Sequence, residues 1–370
     1  MIRTGILGTG FGRRIIGPAL SNNRKFKVYS VFSRDRKKAK EAKKELGAEY
    51  YYDNWRDLID NGCDLVCVAL PPFMHYEVAK YALEKGKHLV LAAPFCLDVK
   101  EGEELAQIAD SNQVKTAVLH YLNYLPARNY AVNLIKNGKI GNILSLNRTL
   151  KNSKRYQTGN PHRYTWHYSK KLGGGLLKCH GAHDVDYLLR ILGGVKKVAS
   201  STETIFQNRK TTDDNVINCT ADDWFRLDLQ FHKGPKAYVE VNCAYPGRPV
   251  NEFVFYGTEG AMVMKDNKEL IYFSKNGERN RLAIPPKYQM VNLAGPQEIS
   301  PVYMLMETLA DAINSNGSIS PTLNEAVHTQ RVIQAAVTAE EQNRWMEVGT
   351  EAENEEKSPK TGQQIDKIYE

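Results

Sequence analysis

The first residues able to do chemistry stand at the start of the chain. Gly5-Ile6-Leu7-Gly8-Thr9-Gly10-Phe11-Gly12-Arg13-Arg14 follows an apolar run that begins at Ile2 and leads into a helical pattern. A glycine turn between a strand and a helix offers free backbone N–H groups and the positive end of a helix dipole, which together hold a pyrophosphate. Gly8 permits the tight turn, and Gly10 lets the backbone approach the ligand. The third glycine of such turns is expected at position 13, but Arg13 stands there and Gly12 comes one residue early. Thr9, Phe11, Gly12 and Arg13 complete the expected contact set. The next strand ends Val31-Phe32-Ser33-Arg34. An acid at this point would bond a ribose 2′-hydroxyl, whereas Ser33 and Arg34, with Lys38 adding positive field, suit a 2′-phosphate. The expected cofactor is therefore NADP(H) in preference to NAD(H). Asp35 is placed to cap the helix that follows.

A second cluster lies past the middle of the chain, in Gly173-Gly174-Gly175-Leu176-Leu177-Lys178-Cys179-His180-Gly181-Ala182-His183. On an α-helix, residues four apart share a face, so Cys179 and His183 look the same way and His180 is turned by ~100°. His183 is the expected general acid or base. Cys179 reads either as a thiolate nucleophile served by His183 or as a buried packing residue. A zinc site needs three or four converging ligands, and no fourth is evident, so no metal is expected.

The elements that must hold these groups are legible in outline. Ile2–Leu7, Lys27–Phe32, Leu65–Leu70, His88–Leu91 and Thr116–Leu119 read as strands. Arg14–Leu20, Arg36–Leu46, Tyr76–Lys85 and Val99–Asn112 read as helices between them. This alternation implies a doubly wound parallel sheet over residues 1–121. From 122 to 348 the rhythm changes to an α+β domain. Helices are expected over Pro126–Asn137, 174–192, Val302–Ser315 and Leu323–Trp345. Strands are expected over Ile143–Leu150, Phe225–Phe231, Ala237–Ala244, Glu252–Tyr256, Ala261–Lys265 and Leu270–Phe273, forming one open, mainly antiparallel sheet. Residues 349–370 are polar and read as a disordered tail.

Composition narrows the function classes. The chain has 370 residues, is 42% hydrophobic and carries a formal charge of +8. Much of the excess sits between residues 24 and 44. No zinc-finger spacing and no interleaved basic and aromatic stripe accompanies it, so no nucleic-acid partner is expected. No apolar run approaches the ~20 residues of a membrane span. The six cysteines form no CxxC pair. The first strand begins at once, so no signal peptide is expected, and the expected location is the cytoplasm.

Longer patterns carry a resemblance. Ala69-Leu70-Pro71-Pro72-Phe73-Met74-His75, then Gly86-Lys87-His88-Leu89-Val90-Leu91-Ala92-Ala93-Pro94, is similar to the glucose–fructose oxidoreductase / inositol dehydrogenase (Gfo/Idh/MocA) family. The glycine-led helix ending at His183 and Asp186 resembles the same family's active-site helix. Trp166, Gly257-Thr258-Glu259-Gly260 and Thr322-Leu323-Asn324-Glu325-Ala326 also fit, so the resemblance spans about residues 2–348. It implies hydride transfer between a nicotinamide and an alcohol or ketone of a sugar or cyclitol. It implies cofactor contacts at Leu70, Pro71, Pro72, His75, Ala92, Ala93 and Pro94. It also implies a lysine in a Glu-Lys-Pro turn, with an Asp and a His one helical turn apart, around the reacting hydroxyl.

Only part of that set is present. His183 matches the histidine, Cys179 stands at the aspartate's position, and Ala92-Ala93 replace the Glu-Lys before Pro94. Lys178 and Tyr124 are candidate replacement proton donors. Tyr121, Asn123, Arg163, Trp166 and His180 are candidate substrate contacts. Three readings follow: an NADP(H)-dependent oxidoreductase acting on a sugar-, cyclitol- or imine/carbonyl-like molecule, a silent NADP-binding sensor, or an NAD-assisted lyase or glycosidase. The resemblance implies a homodimer or homotetramer joined through the outer face of the second sheet.

Overall fold

The computed structural model describes residues 1–154, 164–315 and 317–349. Arg163 and the expected tail from residue 350 onward lie outside the described residues. The N-terminal half builds a six-stranded sheet from β1 (Ile2–Leu7), β2 (Phe26–Phe32), β3 (Tyr50–Tyr52), β4 (Leu65–Val68), β5 (His88–Leu91) and β6 (Thr116–Val118). The order is β3-β2-β1-β4-β5-β6 and every pairing is parallel. All four residues of β4 are buried, as expected of a parallel strand covered on both faces. The order reverses direction beside β1, and ligands of open α/β sheets bind at the strand ends of such a switch point.

Helices α1 (Gly17–Ser21), α2 (Arg36–Leu46), α3 (Trp55–Asp60), α4 (His75–Glu84) and α5 (Val99–Ser111) flank this sheet. Asp35 caps α2 as expected, accepting from the Lys37 and Lys38 amides. The first helix departs from expectation. It opens on a π-type turn over Gly12–Ile16, and the α-helix proper begins only at Gly17.

The second half winds around a nine-stranded sheet. Its strands are β7 (Ile143–Lys151), β8 (Val195–Glu203), β11 (Trp224–Phe231), β12 (Lys236–Asn242), β13 (Val250–Gly257), β14 (Gly260–Lys265), β15 (Glu269–Ser274), β16 (Arg279–Leu282) and β17 (Met346–Glu347). The order is β16-β15-β14-β13-β7-β12-β11-β8-β17. All pairs are antiparallel except β7 with β12, which is parallel. β9 (Asn208–Lys210) and β10 (Val216–Asn218) pair separately. Strands β11, β12 and β13 alternate buried and more exposed positions, so Phe225, Leu227, Val239, Val241, Phe253 and Phe255 fill one face. Each such side chain removed from water contributes ~1.5–3 kcal/mol. Helices α6 (Pro126–Lys136) and α7 (Ala182–Leu192) cover that face.

The C-terminal helices return to the first sheet. Val302, Leu305, Met306 and Leu309 of α8 (Ile299–Ser315) join Ile6, Ile16 and Val90 in one core, and Leu323, Ala326 and Val327 of α9 (Leu323–Glu341) join Val68 and Leu91 in another. This tie holds the cleft wall near α7 against the strand ends of the parallel sheet.

Candidate active site

The turn after β1 meets the loop after β4 at close quarters. Gly8 has φ +112°, and a Cβ there would stand 2.3 Å from the Ala69 carbonyl oxygen. Only glycine fits this turn without strain. Gly10 has no neighbour within 4 Å of its Cβ position, so its face is open. Gly12 serves packing instead, with Ile6 Cγ2 2.8 Å from the Cβ position.

The second glycine cluster places the other wall. A Cβ on Gly175, at φ +111°, would meet Asp222 Oδ1 at 2.2 Å. Asp222 accepts instead from the Leu177 amide at 2.8 Å, and its carbonyl accepts from the Leu176 amide. These bonds satisfy donors at the start of the helical segment. That segment opens on a π-type turn over Leu177–Gly181 before α7 begins. A π turn carries one more residue than an α turn. Cys179, His180 and His183 consequently all face one cleft. His180 lines this cleft, where the sequence offered it as a candidate substrate contact.

That cleft measures about 1380 Å³, more than the ~300–1,000 Å³ of a site for one small ligand. Gly8, Thr9, Gly10, Phe11, Ser33, Arg34, Lys38, Leu70, Pro71, Pro72, Ala92 and Ala93 line one end. Tyr121, Trp166, Cys179, His180 and His183 line the other. Thr9 Oγ1 reaches Ser33 Oγ at 3.5 Å, which ties the glycine turn to the end of β2.

His183 is 8% exposed, and its Nδ1 is buried with no hydrogen-bond partner. Its ring lies 5.3 Å from Tyr121, edge to face, and 5.1 Å from His120. Burial, reinforced by His120, His180 and Arg128, holds the His183 imidazole well below the usual histidine range. It is neutral at physiological pH. Burial likewise raises the Tyr121 phenol, so this hydroxyl keeps its proton.

Behind the wall sits a buried charge cluster. Arg148 Nε donates to Asp184 Oδ2 at 2.8 Å, and Arg128 Nη2 donates to Asp184 Oδ1 at 3.2 Å. All three are almost wholly buried. The two guanidiniums overcome the burial penalty on Asp184 and hold its carboxyl far below the usual range. His180 Nε2 lies 3.5 Å from the same carboxylate, yet burial pushes this imidazole down to about 4.

Comparison with known proteins identifies this arrangement. Residues 2–120 match the model of the oxidoreductase family with NAD-binding Rossmann fold, and residues 129–263 match the model of the GFO/IDH/MocA C-terminal domain. The chain belongs to the Gfo/Idh/MocA family. Like the family, it is an oxidoreductase built on an NAD-binding fold. An uncharacterized oxidoreductase of Synechocystis sp. is 25% identical over 355 residues, covering 93% of this chain and 95% of that protein. Human glucose-fructose oxidoreductase domain-containing protein 2 is 22% identical over 379 residues, covering 94% of each. Levoglucosan dehydrogenase in complex with NADH and levoglucosan superposes with a TM-score of 0.85 at 21% identity, covering 94% of this chain and 99% of that one.

Against the Gfo/Idh/MocA pattern, the methyl groups of Ala92 and Ala93 line the cleft where the resemblance places Glu and Lys. Several residues expected at the site stand elsewhere. Arg13 is turned to α2, where it pairs with Glu41 and Glu45; the neighbouring Arg14 lines the cleft instead. His75 is 1% exposed, and its Nε2 lies 2.7 Å from the Leu70 carbonyl, so it holds the Leu70-Pro71 loop from behind. Pro94 is buried behind Ala93 and does not line the cleft. Tyr124 donates to the Ser320 carbonyl at 2.7 Å and is pushed up to about 12 by burial. Asn123 donates to Asp186 in the interior. Lys178 faces a separate cavity of about 200 Å³ beside Asp222 and Glu340. No group of three or more His, Cys, Asp or Glu among the described residues is placed to hold a metal ion.

Residues that the sequence did not single out are Arg148, Asn251, Asp184 and His120, which stands beside Asp186. His120 Nδ1 lies 3.0 Å from Asp186 Oδ1, near enough to interact but out of line for a hydrogen bond. One signal was present. Arg148 shares strand parity with the buried Leu146 and with Leu150, and a charge on the inward side of a strand needs a partner.

The buried histidines set an acid limit. Burial pushes His75 and His180 down to about 4 and lowers His183, against about 6.5 in an unfolded chain. Between those values the unfolded chain binds more protons, so unfolding free energy rises with pH. Urea midpoints are expected to hold above pH ~6.5 and to fall steadily toward pH ~4. A midpoint that does not move from neutral pH to the acid side contradicts neutral, buried imidazoles.

Proposed function

We propose that the chain is an NADP(H)-dependent oxidoreductase acting on a hydroxyl or carbonyl of a small sugar-, cyclitol- or imine/carbonyl-like molecule. The observation that carries this reading is His183: a neutral imidazole with an orphaned, buried Nδ1, on the wall of the cleft that the open Gly10 face also enters. The backbone at Gly8–Gly10 would hold the pyrophosphate, and Ser33, Arg34 and Lys38 the 2′-phosphate. A bound nicotinamide supplies the hydride donor or acceptor. That levoglucosan dehydrogenase is found with NADH and levoglucosan supports a sugar-like substrate; Arg34 in place of an acid supports the phosphorylated cofactor.

The chain's own residues handle the proton and the oxygen. In oxidation, the substrate hydroxyl gives its proton to the neutral His183. In reduction, a protonated His183 returns it readily, because burial makes the imidazolium acidic. Tyr121 keeps its hydroxyl proton and donates a hydrogen bond to the reacting oxygen. Ala93 has no donor, so charge growing on that oxygen gets less support than a lysine gives. Centres that reduce easily suit such a pocket.

Incubation with NADPH and a panel of carbonyl and imine compounds tests the reading. Loss of the reduced-nicotinamide absorbance is the expected result. Tight NADPH binding without turnover of any compound contradicts it and supports the sensor reading, which the two alanine methyls on the cleft wall favour. We also place the protein in the cytoplasm, as a homodimer or homotetramer. The exposed Leu144, Tyr238 and Tyr256 on the outer side of β7, β12 and β13 support that interface.

A further inference from the structure

We infer that the cleft takes an anionic substrate, held by its carboxylate or phosphate at a corner formed by Arg148, Lys154, His180 and Asn251. This rests on the hydride-transfer reading and names the substrate class for it. The corner lies on the cleft wall, and the His180 ring is 6.4 Å from that of His183. A sugar-sized molecule spans that gap, with its reacting carbon at His183 and its acid group at the corner.

Charge and unfilled donors both favour an anion. The charges that bear most strongly on His180 are Asp184 against Arg148, Arg128 and Lys154. Asp184 is already engaged, one oxygen by each arginine. Arg148 Nη1 is filled by Asn251 Oδ1 at 2.8 Å and by the Thr149 carbonyl at 3.1 Å. Among the described residues, Arg148 Nη2 has only a long approach of 3.5 Å to His180 Nε2. A guanidinium with an underused donor beside a cleft is completed by a carboxylate or phosphate oxygen. Lys154 is exposed on the same wall and can follow the ligand. Of the acids on the cleft wall, Asp35 caps α2 at the cofactor end and Asp266 adjoins the corner, its amide donating to the Asn251 carbonyl at 2.7 Å. Glu298 bears on Tyr121. A neutral sugar would leave the excess positive charge uncompensated in a half-enclosed site, where screening by water is weak.

The test is calorimetric titration of the full chain, with and without saturating NADPH, using D-glucuronate, D-glucose 6-phosphate and D-glucose. At least one of the two anions is expected to bind about tenfold or more tighter than glucose, as a charge-assisted hydrogen bond allows. Which anion wins distinguishes a carboxylate from a phosphate site. Raising the salt concentration is expected to erode that advantage. Lys154→Gln, a surface change that leaves the core intact, is expected to weaken the anion several-fold and to leave glucose unmoved. Arg148→Met is expected to weaken it further. Equal binding of all three sugars, or anion binding indifferent to both substitutions, overturns the inference. If NADPH fails to bind while the anions still bind and respond to Lys154→Gln, the corner stands and the hydride-transfer reading falls.

Discussion

Substitution of His183 by asparagine is expected to lower kcat/KM by ~10²–10⁴-fold, the usual contribution of a positioned acid or base. Asparagine keeps a planar polar group of similar reach but accepts no proton at neutral pH. The affinity for NADPH should change little, because the dinucleotide end of the cleft is built from the Gly8–Gly10 turn and the Ser33-Arg34 strand end. The loss should therefore appear mainly in kcat. Near-normal turnover in the variant would mean that the proton moves through Cys179 or Tyr121 instead. A circular dichroism spectrum and urea midpoint matching the parent would exclude a folding defect, since His183 is buried next to His120 and Tyr121.

The second large effect concerns the choice of cofactor. Ser33→Asp, combined with Arg34→Ala, puts a carboxylate where the 2′-phosphate is proposed to lie and removes the cation beside it. NADPH binding is expected to weaken by about ten- to a hundredfold, the range for one or two charge-assisted contacts. NADH should bind as well as before or better, because the new acid can accept from its ribose 2′-hydroxyl. Both positions follow the end of β2 and are partly or fully exposed, so the core is spared. Equal losses for the two cofactors would show that this strand end reads no phosphate.

How much of this was legible in the sequence follows from what each feature depends on. Strands such as Leu65–Val68 are buried on both faces, and their unbroken apolar runs show it. The Asp35 cap is local, and so is its signal. β8 was missed because Val195-Lys196-Lys197-Val198-Ala199-Ser200-Ser201-Thr202-Glu203 is too polar to stand out; pairing with β11 and β17 makes it a strand. β3 is a short edge strand of three tyrosines, with little pattern to read. The parallel pairing of β7 with β12 depends on where distant segments meet, which no local period encodes.

The site divides in the same way. That the glycine turn and His183 stand on one cleft was legible, because each sits in a short local pattern of residue types. Arg13 and Lys178 were misplaced because their surroundings, Glu41 and Glu45 for the one and the cavity beside Asp222 for the other, lie far off in sequence. Asp184 owes its role to Arg128 and Arg148, which lie 56 and 36 residues away in sequence. Only the folded chain brings that carboxylate and its two guanidiniums together.

Calorimetric titration of the full chain with NADPH and NADH shows whether a 2′-phosphorylated dinucleotide occupies the Gly8–Gly10 end of the cleft. A saturable heat is expected for both, with NADPH the tighter, and a preference that collapses in the Ser33→Asp, Arg34→Ala variant. Absence of binding by either nucleotide at millimolar concentration would contradict it, and would leave the fold without the proposed chemistry.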